Sequence, residues 1–302
     1  MSNLSQRILV AVVGIPIVVL VIFKPYSLLG LAIIFALLAV HEFYNLAKAK
    51  GFIPQVGIGM ALTALIVLTF GGMHLHDLLA TLHIHVGADV ETTALVPVLL
   101  ILGTIVTLMA ELFKGYPNPL VQVSVTLGGA LYIGLGLGGF YGVHEYFYIH
   151  AAMTRLDISP AQVSAQAGYF TILLLASIWI CDSAAYFIGR SFGRHKIAVR
   201  VSPNKSWEGG IAGLIAAIAT WIIAINVLDS LAEVSLTTAI AMGLITGVLG
   251  QIGDFAESMF KRDVGVKDSS ALIPGHGGVL DRLDSILFIF PTTYVYLHLF
   301  GI

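Results

Sequence analysis

Downstream of residue 180 the chain carries carboxylates and cations at spacings that suit work on phosphates. Asp254, Glu257, Ser258 and Lys261 recur at i, i+3, i+4 and i+7, so a helix would present them together. Asp281 and Asp284 share a face in the same way. Acids converging from two helix ends are hard oxygen ligands, which Mg²⁺ prefers when it also binds substrate phosphates. Two such helices would hold one or two ions. The competing reading is a set of solvated helix-end charges and caps.

Between these groups, Pro274-Gly-His276-Gly277-Gly278 is a turn-rich stretch ahead of a helix start. It is either a plain turn or a nest of backbone N–H groups for an anion. His276 would contact phosphate or brace the loop. Asp182 lies within an apolar run, about 12 Å from its cytoplasmic end on helical rise. An acid at that depth faces a polar cavity or pairs with a partner such as Lys205 or Arg190. In 202–209, Asn204, Lys205 and Ser206 could hold phosphates, though no Walker-type glycine spacing is present. Capping and snorkelling account for the same residues equally well.

The elements that must position these groups are membrane helices. Of 302 residues, 58% are hydrophobic and 11% charged, and the mean hydropathy is +0.94, whereas soluble domains carry about 25% charged residues. A net charge of -2 provides no basic field for nucleic acid. Cys181 is the only cysteine, which excludes an internal disulfide. Runs long enough to cross a bilayer fall at 7–23, 28–47, 56–72, 94–113, 120–142, 168–190, 209–229, 235–256 and 285–301. The fold expected is therefore all-α and polytopic, with about nine spans, the first retained because no small-x-small cleavage site follows it.

With the N-terminus in the cytoplasm and the C-terminus outside, only Lys24 and Arg155 of the 15 Lys and Arg lie outside, which fits the positive-inside rule. Both polar segments, 190–208 and 257–284, then share the cytoplasmic face. The chain divides into a region of about five spans over 1–150 and a catalytic region over 151–302. Gly128, Gly129, Gly134, Gly136, Gly138, Gly139 and Gly142 in the fifth span predict close helix packing.

Ser258 to Asp284 resembles the signature of phosphatidate cytidylyltransferases, also called CDP-diacylglycerol synthases. The resemblance rests on Ser258, Lys261, Arg262, Lys267, Asp268, Pro274, His276, Gly277, Gly278, Asp281, Arg282 and Asp284, met without a gap. Stretches 181–190 and 202–209 are similar to that family as well. The resemblance implies transfer of CMP from CTP to phosphatidate, with Mg²⁺ as cofactor, in an inner membrane of bacterial type. It places metal on Asp254, Asp281 and Asp284, with Asp182 lining the cavity. Lys205, Ser206, Lys267 and His276 would hold phosphates, while Asn204, Lys261, Arg262, Asp268, Gly277, Gly278 and Arg282 would complete substrate binding. Arg282, facing away from the acids, would serve structure or lipid headgroups. A homodimer is implied by the resemblance alone.

Two other classes remain at this level: a transporter, with Asp182 and Glu111 marking an ion path, and a lipid-alcohol kinase. His74, His76, His83 and His85, with Asp77 and Asp89, read as polar loop residues rather than a zinc site. His41-Glu42 and His144-Glu145 read as interfacial or packing residues.

Overall fold

The computed structural model describes residues 3–83, 92–115, 117–154, 158–273 and 275–302, with backbone alone for 3–11. Its helices are α1 (Asn3–Ile22), α2 (Pro25–Ala49), α3 (Val56–Thr69), α4 (Gly72–Thr81), α5 (Leu95–Lys114), α6 (Pro119–Thr154), α7 (Pro160–Phe192), α8 (Trp207–Val227), α9 (Leu236–Leu244), α10 (Gly250–Asp263), α11 (Leu280–Leu283) and α12 (Ile286–Phe300). All nine apolar runs fall on helices, but six helical stretches are long and apolar enough to cross a membrane. A seventh arises if α3 and α4, bent by 103°, count as one span. The remaining two apolar helices, over Val12–Ile22 and Ile286–Phe300, are shorter. A π-helical turn at Ile245–Leu249 joins α9 to α10.

Two segments between the apolar runs are partly helical. The chain turns into α4 at Gly72, whose φ of +44° suits a residue without a side chain. α7 starts eight residues before the apolar run, at Pro160, behind a capping box between Ser159 and Gln162. Hydropathy marks the apolar middle of such helices and not their polar ends.

α6 is the hub, packing on α2, α3, α7 and α12. Six of the seven glycines expected to pack closely do so, Gly128 facing open space: a Cβ on Gly139 would lie 2.5 Å from the Pro291 Cα, and one on Gly136 would lie 3.0 Å from the Leu287 Cα. In lipid, where burial of apolar surface does not drive helix association, this backbone approach supplies the packing energy. α6 belongs to the first half and α12 to the second, so the core runs across residue 150.

His74 is bonded within the protein. Its Nδ1 meets Glu145 Oε2 at 2.5 Å, and the Tyr141 hydroxyl donates to the same oxygen at 3.1 Å. The pair pins α4 to α6, which gives Glu145 a structural task. His85 and Asp89 lie outside the described residues.

The all-α expectation needs one amendment. Strands β1 (Lys196–Ala198) and β2 (Ser202–Ser206) form an antiparallel hairpin in the segment after α7. Its short extended strands follow neither the helical period nor a clear apolar alternation, so the pattern gave no signal.

Candidate active site

α10 holds its polar residues in two stripes. Asp254 and Ser258 form one i, i+4 pair, Glu257 and Lys261 the other, and the stripes lie about 60° apart around the helix. The single face expected from the spacing is therefore divided. Ser258 Oγ donates to Asp254 Oδ1 at 3.2 Å, while Lys205 Nζ from β2 reaches Asp254 Oδ2 at 2.6 Å and lies 4.4 Å from the centre of the Phe255 ring. The second stripe turns toward α11. There Lys261 Nζ bridges Glu257 Oε2 and Asp281 Oδ1, the latter at 2.6 Å.

The first stripe opens on a cavity of about 580 Å³ between α7, the hairpin, α8 and α10. Asp182, Arg190, Lys196, Asn204, Lys205 and Ser206 line it along with Asp254. α8 comes close to α7 here because Gly209 and Gly213 face the carbonyls of Ala185 and Cys181, where a Cβ would lie 2.6 and 2.9 Å away. Ser206 is the N-cap of α8, accepting from the Gly209 N–H at 3.3 Å, and the Asn204 carbonyl accepts from Lys196 Nζ. The hairpin thus presents Lys205 to the acids while Ser206 starts the next helix.

Asp284 joins this side. A Cβ on Gly253 would collide with the Asp284 carbonyl, so the elements bearing Asp254 and Asp284 touch at their backbones. Burial, and then the nearby Asp254 carboxylate, push Asp284 up to about 7, with Asp182 adding to the effect and Lys205 opposing it. Three carboxylates with one lysine among them leave an excess of negative charge, the condition a divalent cation relieves.

Asp281 is differently employed. Its Oδ2 accepts from the Ser269 N–H at 2.9 Å, from Ser269 Oγ at 2.9 Å and from the Gly278 N–H at 2.7 Å. Burial raises its pKa, but the hydrogen bonds from Glu257, Lys261, Gly278 and Ser269 outweigh that and hold it at about 2. The lone pair left on Oδ1 beside Lys261 is what it has for another ligand. Among the described residues, no three His, Cys, Asp or Glu side chains are grouped closely enough to hold a metal ion.

The loop before α11 is organised by an acid read from sequence as interfacial. Glu42 of α2, 3% exposed, accepts from Ser270 Oγ and the Val279 N–H on Oε1, at 2.7 and 3.0 Å. On Oε2 it accepts from the Leu280 N–H at 2.8 Å and shares the single hydroxyl proton of Ser269 with Asp281, at 2.9 Å from each. Of the N–H groups expected to cradle a substrate anion, that of Gly278 is held by Asp281 and that of His276 by the Ile273 carbonyl, while the next two along the chain, of Val279 and Leu280, are held by Glu42. An acid inside an apolar helix was the available signal, discounted because Glu42 stands near the helix end.

The other expected residues sit around this loop. Gly277, at φ +80°, accepts from the Ile273 N–H, closing the turn. Arg262 Nη1 donates to the Val266 carbonyl at 2.9 Å, and Arg282 Nε donates to the His276 carbonyl at 3.0 Å. Lys267 and Asp268 are exposed. Pro274 lies outside the described residues. Glu111, weighed as part of an ion path, is bonded to Gln55 Nε2 at 2.7 Å, away from this cavity.

The sequence profile of the cytidylyltransferase family matches residues 5–300. The chain is 31% identical to a phosphatidate cytidylyltransferase of Synechocystis, over 98% of this chain and 97% of that one. It is 30% identical to one of Staphylococcus haemolyticus, over 91% and 94%. A third, from Haemophilus influenzae, is 45% identical across a shorter stretch, 45% of this chain and 48% of that one. With its profile met almost from end to end and its acids gathered beside a cation-lined cavity, this chain belongs to the cytidylyltransferase family.

Proposed function

We infer that the chain transfers CMP from CTP to phosphatidate, giving CDP-diacylglycerol and pyrophosphate. The carrying observation is the cavity lined by Lys205, Lys196 and Arg190 together with Asp182 and Asp254, next to a signature loop fixed by Glu42 and Asp281. A phosphate oxygen of phosphatidate attacks the α-phosphorus of CTP, and the bond to the β-phosphate's bridging oxygen breaks. That nucleophile is already anionic, so the protein's task is to align two polyanions and offset their charge rather than to remove a proton.

Lys205, Lys196 and Arg190 meet the triphosphate, while Asn204 and the Ser206 hydroxyl line the same wall. Lys267, exposed on the loop, is free to close over it. Asp254, Asp284 and Asp182 repel one another without forming a closed ligand set, so they would hold Mg²⁺ only together with substrate phosphates, the way that ion is usually bound; Asp281 would join them through its remaining lone pair. Bound there, the ion would neutralise phosphate charge that the lysines leave uncompensated. Lys261, between Glu257 and Asp281, supports the loop and does not reach out to substrate in this arrangement.

We place the site on the cytoplasmic face of an integral membrane protein with nine crossings. The support is the charge distribution, with only Lys24 and Arg155 on the other side. CTP arrives from the cytosol and phosphatidate sideways from the bilayer. Purified chain given phosphatidate, CTP and Mg²⁺ should yield CDP-diacylglycerol and pyrophosphate in equal amounts, and Asp254→Asn should yield neither. Ion flux without pyrophosphate release would refute the reading.

A further inference from the structure

A second cavity, of about 390 Å³, shares no lining residue with the first and meets the signature loop and α11 at His276, Arg282 and Leu283. Its walls are apolar side chains of α1, α2, α6 and α7, among them Phe35, Phe140 and Trp179. One end is polar, formed by His276 and Arg282 of the signature loop and α11. Phe35 lies seven residues before Glu42 on α2, so the apolar part extends about 10 Å from the loop into the depth of the bilayer. Gly14 of α1 forms part of the wall, and a Cβ there would meet nothing within 4 Å.

The polar end has unused capacity. His276 Nδ1 is buried without a hydrogen-bond partner among the described residues. Arg282 commits Nε to the His276 carbonyl, and its Nη groups have no partner among the described residues. A buried imidazole nitrogen without a partner carries a desolvation cost that a ligand's hydrogen bond removes, and a guanidinium fork matches phosphate oxygens. An apolar slot within membrane helices, closed at one end by groups that suit an anion, has the chemistry of one anionic phospholipid: chain in the slot, phosphate at the loop.

We propose that this cavity seats an acyl chain of phosphatidate, with the lipid phosphate held at its mouth by Arg282 and His276. The proposal rests on the reading of phosphatidate as substrate and adds where it is held. The lipid chain would then lie in a cavity separate from the one whose acids serve CTP. Gly14 would set how much chain the slot admits.

Two measurements test this. Brominated-chain phosphatidate and brominated-chain phosphatidylcholine are compared, at equal mole fraction in vesicles, as quenchers of the fluorescence that Trp179→Phe removes. Stronger quenching by phosphatidate, with the preference lost in Arg282→Gln, is the expected result. Equal quenching by the two lipids, or a preference that survives Arg282→Gln, overturns the proposal and leaves ordinary surrounding lipid. For Gly14→Phe, the ratio of kcat/KM for dioleoyl over dihexanoyl phosphatidate should fall about tenfold, the worth of excluding about two methylenes. An unchanged ratio also overturns it. Wild-type protein that shows the quenching preference yet makes no CDP-diacylglycerol would instead refute the proposed activity.

Discussion

Replacing Glu42 by Gln isolates the contribution of one buried carboxylate to the signature loop. The native oxygens accept from two backbone N–H groups, of Val279 and Leu280, and from the hydroxyls of Ser269 and Ser270. Gln keeps one acceptor. Whichever way the amide is set, its NH₂ faces a backbone N–H and a serine; the hydroxyl can rotate to accept, the backbone group cannot. An unsatisfied buried N–H costs about 1–3 kcal/mol, and the bonds that remain lose their charge assistance. A total of about 3 kcal/mol lowers the ordered population of the loop by roughly a hundredfold relative to its alternatives. Pyrophosphate release should therefore show kcat down by about a hundredfold, while the protein extracts and unfolds much as wild type, because the other helix contacts of α2 are untouched. Glu42→Asp, one methylene short, should be impaired as well. A kcat for Glu42→Gln within about threefold of wild type, far above what such a loss permits, would refute the reasoning.

Other substitutions separate catalysis from support. Lys261→Met leaves Glu257 and Asp281 buried without their cation and should cost about 3–5 kcal/mol in thermal unfolding; adding Glu257→Gln should restore part of the loss. Lys205→Met should lower kcat by about 10²–10³, as removing one positioned donor to developing charge does, with little change in unfolding temperature. Gly139→Leu drives a side chain into the Pro291 backbone and should destabilise by about 1–3 kcal/mol or more. Gly128→Ala, with open space around its Cβ, should be neutral or slightly stabilising in the same assay.

The helices and the acids were legible for different reasons. Apolar runs reveal the middle of a span, so all nine runs fall on helices, but where the polar ends of α6 and α7 stop depends on caps and neighbours. The α6 glycines could be read because close approach in lipid needs small residues, and Gly136 and Gly139 meet α12 accordingly. The spacing of Asp254 and Lys261 gave a helix face but not its partners: Asp254 turns to Lys205 and Lys261 to Asp281. Such sorting depends on which helix lies beside each stripe, a tertiary fact. Glu42 was missed because its ligands are residues 269–280, more than two hundred positions away. The glycine loop illustrates the converse, since its N–H groups suit anions and the protein supplies them from its own side chains.

The central claim is that the acids beside Lys205 serve cytidylyl transfer onto a lipid phosphate. Its most direct test follows the label from CTP carrying ³²P at the α or the γ position, incubated with phosphatidate and the purified protein. The account predicts α-label in the lipid product and γ-label in pyrophosphate, with both lost in Asp254→Asn. Label passing from the γ position into lipid, or transfer that persists in Asp254→Asn, would contradict it.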